Sequence, residues 1–379
     1  MNLALSDEQV FLREAARGAL SRFKTLEAAR GALDGEKDAL PDLWPTAREA
    51  GWPGLLIDEA HGGAGLDVFD AMLVLGECGR VLAGIPLLGH LPATALLGDA
   101  ANAATLLEPL ATGERRAAYL PVSPPDDLDE RWSADAADGF ERVPAPTAVL
   151  DAGQSRVSGV LSFVPDAPGA DLLVGVALLE GKPVGVAIEG DAPGVAVQAV
   201  TRYDATRSLG HVSLKDAPAA VLDAPVESLA AAWHLSQALI AAESLGSVET
   251  ALDVSVAYAK ERHTFGRAIG SYQAVKHSLT EVLRQLENGR SLLYYAGWAR
   301  RGQPSEFPLA ASAVRSVSGR ALDTAARTMI SVHGGIGATW EHDAPLYFRR
   351  AQLSRRLLGG TARATDRVAG ELIAQADAA

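Results

Sequence analysis

The segment Tyr258-Ala-Lys-Glu-Arg-His-Thr-Phe-Gly-Arg-Ala-Ile-Gly-Ser-Tyr-Gln273 places a cation, an aromatic side chain, a glycine and an amide at the end of a long helical pattern. This combination suits a bound dinucleotide. The guanidinium of Arg262 offers a planar set of donors to a pyrophosphate. Gly266 lets the backbone approach a ligand closely, and Gln273 can hydrogen-bond a base or a ribose. A solvated helix end explains the same string without a ligand, so a second motif is needed to support the nucleotide site.

Helical periodicity surrounds this segment on both sides. Apolar residues recur at helical spacing over residues 227–262, 270–301, 308–333 and 361–377. At the other end of the chain, Ser6-Asp-Glu-Gln9 is a capping box before another helical pattern. The first and last thirds of the chain are therefore predicted to be helical.

The middle of the chain has a different texture. Short β-rich runs cover residues 157–164, 172–178 and 184–188, with Gly and Pro between them. We therefore predict an α+β multidomain protein. It comprises an N-terminal all-helical domain (1–116), a small antiparallel β-sheet or barrel domain (117–226) and a C-terminal four-helix-bundle domain (227–379).

Composition narrows the classes of partner. The formal charge of −13 repels nucleic acid and anionic lipid surfaces, so neither is expected as a partner. The single cysteine, Cys78, excludes an internal disulfide framework and any cysteine-based metal cluster, and no His/Asp/Glu grouping has metal-ligand spacing. No apolar run reaches membrane-spanning length, and the first residues lack the pattern of a leader. We expect a cytoplasmic protein with no metal.

A second motif, His333-Gly-Gly-Ile-Gly-Ala-Thr-Trp-Glu341, is followed by Tyr347-Phe-Arg-Arg350, and Glu59-Ala-His-Gly-Gly-Ala-Gly-Leu66 lies early in the chain. In this order, and within a helix–strand–helix arrangement, the motifs resemble the acyl-CoA dehydrogenase family of flavoenzymes over most of the chain. The resemblance implies removal of a proton from the α-carbon of an acyl-CoA thioester and transfer of hydride from the β-carbon to FAD. An electron-transfer flavoprotein would then reoxidise the flavin.

The resemblance also implies how the cofactor is held. Arg262, Thr264 and Phe265 would bind the pyrophosphate and adenosine of FAD across a subunit interface, with Gln273 assisting. Because FAD is shared between subunits in this family, a homo-oligomer or a hetero-oligomer with a related subunit is expected.

The diglycine motif supplies the remaining cofactor residues. Gly334, Gly335 and Gly337 would admit the adenosine half of a neighbour's flavin, and Thr361 would lie near the flavin edge. The alternative is that the glycines only end the preceding helix and that Thr361 caps the next one.

Three features of the family are missing. Many relatives carry the catalytic base in a Tyr-Glu-Gly-Thr turn, where this chain has Leu358-Gly359-Gly360-Thr361. Others carry it about ten residues before the glycine of the long helix, where Ser236 stands, and a neutral serine is a poor base. The Thr-Glu-Pro-x-Gly-Ser-Asp signature that lines the flavin ring is also absent after Pro121. The sequence alone therefore does not establish a flavin-ring pocket in this chain.

Glu243 is the carboxylate that we predict as a substitute base. It lies seven residues after Ser236, on the same helical face and among small apolar residues, which suits a proton abstractor. The alternative is a structural glutamate that bonds a neighbouring helix or pairs with an arginine. His277 is interpreted as a helix-packing or flavin-edge residue, and Glu341 and His342 as structural or interface residues.

Two functional hypotheses follow. In the first, the chain is an FAD-dependent acyl-CoA dehydrogenase with Glu243 as its base. In the second, it is the non-catalytic or FAD-completing subunit of a heteromeric dehydrogenase that acts on a bulky CoA thioester. The acyl group is unreadable from the sequence.

Overall fold

Helices make up the N-terminal region of the computed structural model, which describes residues 4–35, 40–126, 129–139, 141–151, 154–200 and 203–377. The predicted capping box is formed: the Gln9 backbone N–H donates to Ser6 Oγ at 3.2 Å, and the Ser6 N–H donates to Gln9 Oε1 at 3.1 Å. The α-helices described in this region are α1 Asp7–Leu20, α2 Thr25–Leu33, α3 Trp44–Glu49, α4 Val68–Arg80, α5 Leu87–Gly98 and α6 Ala104–Ala111.

The middle region is a small barrel. Its strands are β1 Ala117–Leu120, β2 Ser133–Asp135, β3 Arg142–Pro144, β4 Thr147–Asp151, β5 Gln154–Pro165, β6 Leu172–Leu179, β7 Lys182–Glu189, β8 Val195–Ala199 and β9 Leu209–Leu222. Strands β6, β4, β5, β9 and β7 pair in a closed ring, with β1 beside β6 and β8 beside β9. Most pairs are antiparallel as predicted, but β1 and β4 each run parallel to β6, so the sheet is mixed.

The C-terminal region is built around one long helix, α7 Val226–Glu261. It packs against α8 Gln273–Gly302, α9 Phe307–His333 and the N-terminal helix α4, and two further helices, α10 Ala344–Ser354 and α11 Gly360–Asp377, complete the bundle. The order of helices, strands and helices confirms the predicted fold class. The domain limits after residues 116 and 226 stay a prediction from the sequence.

Glycines bring α4 and α7 unusually close together. A Cβ atom built on Gly246 would lie 1.9 Å from the carbonyl oxygen of Gly76, and one built on Gly79 would lie 1.9 Å from that of Glu243. Only glycine fits at such a crossing. The Ser247 hydroxyl donates to the Gly79 carbonyl at 2.7 Å across the same contact. This crossing fixes α7, and with it every predicted site residue on α7, against the N-terminal helices.

Among the helices of the described residues, none is long and apolar enough to cross a membrane.

Candidate functional site

A short hairpin projects from the end of α7. Strands β10 His263–Thr264 and β11 Arg267–Ala268 pair antiparallel, and Phe265 and Gly266 form the turn with φ values of 50° and 78°. Two successive positive φ angles are typical of a type I′ turn. Glycine adopts such angles readily, whereas an aromatic residue adopts them only with some backbone strain. The Phe265 side chain is 93% exposed at the tip. A large apolar ring that a tight turn holds in solvent is suited to contact a ligand or another protein chain.

A groove of about 630 Å³ opens beside this hairpin. Its floor is the start of α8 and its far wall is the last turns of α9, so it joins the two predicted cofactor segments. The Tyr272 hydroxyl donates to the Thr264 carbonyl at 3.2 Å and ties the hairpin to α8. We call this space the hairpin groove; its lining includes Thr264, Phe265, Ile269, Tyr272, Arg327 and Ser331.

Arg262 and Gln273 lie next to the groove and are exposed. The Arg262 backbone N–H still donates to Tyr258 at 2.8 Å, which closes α7, but its guanidinium has no hydrogen bond or ion pair with any described residue. The side chain of Gln273, the first residue of α8, is likewise without such a partner in the described part of the chain. Both polar groups are therefore available to an external ligand, as an anion-binding role requires.

The diglycine follows the groove wall directly. Gly334 has φ 64° and ψ −134°, a conformation that glycine alone adopts readily, and its N–H donates to the Ile330 carbonyl at 3.0 Å. A Cβ atom built on Gly334 or Gly335 would meet nothing within 4 Å, so space lies open beside both. Gly337 differs, because a Cβ there would lie 2.7 Å from the Ile330 carbonyl oxygen. Packing within the chain therefore explains Gly337, whereas Gly334 and Gly335 can admit a ligand.

Thr361 lies away from the groove. It is half-buried at the start of α11, with its hydroxyl 3.4 Å from the Arg315 guanidinium, and a Cβ on Gly319 of α9 would lie only 2.3 Å from the same oxygen. Its position in this chain is explained by packing between α11 and α9, and its role at a flavin edge stays a prediction.

The two positions at which relatives can carry the base come close together in space. Trp233 and Gln237, which flank Ser236 on α7, line a narrow space against the turn at Leu358–Gly360, and the Gln237 amide donates to the Leu358 carbonyl at 3.0 Å. The Ser236 hydroxyl is used within the helix, donating to the Trp233 carbonyl at 2.7 Å. We call this place the closed site, because the free volume here is only about 10 Å³.

Side chains of the β-domain lie against the turn beside the closed site. The Gly359 N–H donates to Asp135 at 3.2 Å, and Asp135 pairs with Arg142 at 2.7 Å. A Cβ on Gly359 would lie 3.3 Å from the Trp233 ring and 3.4 Å from the Arg142 guanidinium, so little space is left beside it, and its φ of 77° favours glycine. Burial lowers the pKa of Arg142, with Asp135 opposing that shift. A neighbouring cavity, beside Phe163 and Leu357, holds about 160 Å³, which is below the ~300 Å³ at which small-molecule sites begin.

These observations test the fit of FAD to the chain in two halves. The hairpin groove, with an unpaired guanidinium and open glycines at its edge, fits the nucleotide half of such a cofactor. The closed site, which is lined by the Trp233 indole and has a free volume of about 10 Å³, does not fit a flavin ring. No group of three or more potential ligand residues that could hold a metal ion occurs in the described ranges.

Glu243 lies in a different environment from the one expected of a base. One carboxylate oxygen accepts from Arg350 at 2.8 Å and the other from Arg207, and the residue is 3% exposed. Arg350 also pairs with Asp204 at 2.6 Å, and Asp204 accepts from Thr206 at 2.6 Å. Asp204, Arg207, Glu243 and Arg350 form what we call the buried ion-pair cluster. This geometry is that of the structural alternative, and the role of Glu243 as base stays an untested prediction that the cluster disfavours.

The cluster joins the middle region of the chain to two helices of the C-terminal region. Asp204 and Arg207 come from the segment before β9, Glu243 from α7 and Arg350 from α10. Burial alone would lower the pKa of Arg350, but the carboxylates of Asp204 and Glu243 raise it above its ordinary value. Sequence reasoning missed these arginine partners, because neither lies near Glu243 in the chain.

Comparison with known proteins agrees with this architecture. Residues 6–114 match the model of the acyl-CoA dehydrogenase N-terminal domain, and residues 229–373 match that of the C-terminal domain. The acyl-CoA dehydrogenase FadE34 of Mycobacterium tuberculosis is 31% identical over 97% of this chain, which spans only 48% of FadE34. The acyl-CoA dehydrogenase IpdE2 of the same organism is 30% identical over 93% of both chains.

A solved structure of a variant of the Tcur3481-Tcur3483 steroid ACAD is also similar. It superposes with a TM-score of 0.85 at 28% identity, over 98% of this chain and 99% of that one. Three findings indicate the same family: two domain models that together cover most of the chain, a near full-length relative at 30% identity, and the matching fold. The chain belongs to the acyl-CoA dehydrogenase family of flavoprotein oxidoreductases.

Proposed function

We propose that this chain is the FAD-completing subunit of a heteromeric acyl-CoA dehydrogenase. The observation that carries the proposal is the contrast between an open hairpin groove and a closed site within one chain. The groove is suited to receive the adenosine and pyrophosphate of a flavin whose ring lies in a related partner subunit. The partner then supplies the ring pocket and the catalytic base.

FAD bound in the assembled enzyme would supply the hydride acceptor for α,β-dehydrogenation of an acyl-CoA thioester, and an electron-transfer flavoprotein would reoxidise it. Arg262 would hold the pyrophosphate through charge-assisted hydrogen bonds, and Phe265 would pack on the adenosine. Gly334 and Gly335 would let the backbone approach the nucleotide. We expect this reaction in the cytoplasm.

The substrate proposed is a bulky CoA thioester of the steroid type. Support comes from the similarity of this chain to the Tcur3481-Tcur3483 steroid ACAD. The hetero-oligomer is part of the same proposal, since a chain without room for a flavin ring needs a partner that has it.

The test is the flavin content of the purified protein. The chain expressed alone should retain no FAD, and co-expression with a related subunit encoded beside it should yield a complex with half as many FAD molecules as chains. A homo-oligomer that carries one FAD per chain, and whose flavin is bleached by an acyl-CoA, would refute the proposal and restore the first hypothesis.

Two variants locate the nucleotide. Phe265→Ala and Arg262→Gln should each reduce FAD retention by the complex by about tenfold or more, because each removes an interaction worth about 1–3 kcal/mol. The matched control is Phe11→Ala, since Phe11 is also highly exposed, at 72%, but lies on the first helix. Loss of FAD in the control, or full retention in both groove variants, would contradict the assignment of the hairpin groove.

A further inference from the structure

We propose that His333 and His342 are positioning residues that clasp the diglycine loop in its nucleotide-binding shape only while the His342 imidazole is neutral. This inference rests on the proposed function, since it concerns the same nucleotide half-site. We call the pair the imidazole clasp.

The clasp closes the base of a loop. His333 is the last residue of α9, and only Asp343 separates His342 from the start of α10. The eight residues 334–341 between the two histidines form the loop that carries the diglycine. The two rings contact each other, with centroids 4.1 Å apart. Contact between the first and last residues flanking a loop restricts every residue within it.

A third ring ties the clasp to the other nucleotide segment. Tyr258 of α7 stacks on His333 with centroids 4.3 Å apart and an interplanar angle of 30°. The Tyr258 carbonyl also accepts the N–H of Arg262 at 2.8 Å. The stack of Tyr258, His333 and His342 therefore links the helix end that presents Arg262 to the loop that presents Gly334 and Gly335.

The hydrogen bonds fix where the protons are. His333 Nδ1 lies 2.7 Å from the Met329 carbonyl oxygen, which can only accept, so this nitrogen carries a proton. His342 Nδ1 accepts the backbone N–H of Ala344 at 3.0 Å, so this nitrogen carries none. That N–H is one of the unpaired donors at the start of α10, and His342 therefore acts as a cap. A proton on His342 Nδ1 would break the cap and place a charge against the neighbouring imidazole.

The surrounding charges set the direction of the pH response. Arg30 of α2 pairs with Asp343, which is next to His342 in the chain, and His333 of α9 faces the His342 ring. Burial and then His333 lower the pKa of His342, Asp343 opposes this shift and Arg30 adds to it. The folded-state pKa therefore lies below the ordinary value of 6.5. The stabilisation that neutral His342 gives the clasp is therefore complete above pH 6.5, and it is lost as the pH falls through the folded-state pKa of His342.

The test compares pH profiles of FAD retention by the complex from pH 5 to 8. The parent should lose affinity by up to about tenfold per pH unit below the pKa, as expected for one coupled proton. His342→Asn keeps an acceptor for the Ala344 N–H without titrating in this range, and His333→Phe keeps a ring against Tyr258. The double variant should show a flat profile over this range whatever its affinity at neutral pH, and His61→Asn, in the N-terminal region, should keep the parent profile.

A second measurement does not depend on flavin. The rate of amide hydrogen exchange of residues 334–341 is measured in the chain without FAD and divided, at each pH, by the rate in the double variant. This ratio removes the intrinsic pH dependence of exchange. It should rise as the pH falls, because the parent loop loosens and the variant loop does not. If neither parent nor variant bound FAD at pH 8 but the exchange ratio still changed with pH, the clasp would stand and the proposed function would fail. A double variant that matched the parent in both profiles would overturn the clasp.

Discussion

Replacing Glu243 with Gln separates a structural carboxylate from a catalytic one. The substitution keeps the size of the side chain and removes its charge. In the parent, both oxygens of Glu243 are bound by guanidinium groups, and the side chains of Arg207, Glu243 and Arg350 are each 5% exposed or less. Without the Glu243 charge, two buried guanidinium groups share the single carboxylate of Asp204, which leaves one positive charge uncompensated in the interior.

The magnitude follows from that uncompensated charge. Removing one partner of a buried ion pair costs about 3–5 kcal/mol, because the remaining charge stays desolvated. A loss of this size should lower the melting temperature by on the order of 6–20 °C for a chain built of domains of ordinary size. Thermal and urea unfolding of the purified chain measure it directly. Glu249→Gln is the matched control, because Glu249 lies on α7 as Glu243 does. It pairs with Arg80 at 2.7 Å and with Arg290 at 2.9 Å, but its side chain is 32% exposed.

The control should lose less than about 1 kcal/mol, as exposed pairs contribute little. The reasoning would be refuted by a Glu243→Gln variant that unfolds with the parent's stability. If that variant also abolished bleaching of the flavin by acyl-CoA in the complex, Glu243 would be the base after all.

Two further substitutions test the packing around the same helices. Burial raises the pKa of Asp166 to about 6, with Arg207 opposing, so its proton stabilises the fold below pH 3.8 and this contribution is lost as the pH rises through 6. The unfolding free energy of Asp166→Asn, measured with urea, should therefore rise relative to that of the parent by up to about 3 kcal/mol between pH 4 and 7. A difference that stays constant over this range would contradict the raised pKa of Asp166. Gly246→Ala should destabilise the chain by about 3 kcal/mol, because its Cβ meets the Gly76 carbonyl at 1.9 Å. Gly18→Ala, which has nothing within 4 Å on an exposed helix, should instead gain up to about 1 kcal/mol, and equal effects would sink the packing argument.

Long elements with regular periodicity could be predicted from the sequence, and short or irregular ones could not. The helix predicted over 308–333 is observed as Phe307–His333, and the predicted strand 172–178 as Leu172–Leu179. Helix α10 was missed because its buried face includes Arg350, so the apolar stripe that identifies a helix is interrupted by a charge. The parallel pairing of β1 with β6 was missed because register between strands over fifty residues apart leaves no local pattern.

The candidate site divides in the same way. The motifs at Thr264 and Phe265 and at the end of α9 predicted one nucleotide site, and the structure brings these segments to a common groove. The lack of a carboxylate at Ser236 and Gly359 could be read from the sequence. That Asp135 and Arg142 lie against Gly359 could not, because these residues lie on three-residue strands with no apolar alternation.

Glu243 illustrates why a helical face alone cannot identify a base. Seven residues separate it from Ser236, which gives the same face but also a displacement of about 10 Å along the axis. Periodicity cannot report what lies opposite that face, and here the partners come from positions 36 and 107 residues away. Accepting a proton at Glu243 would break two buried ion pairs, about 10 Å along α7 from the closed site where a base would have to act. Because the Glu243 carboxylate is committed to holding α7 against α10 and against the segment before β9, we expect the base to come from another subunit, and that requirement is what makes the hetero-oligomer the stronger proposal.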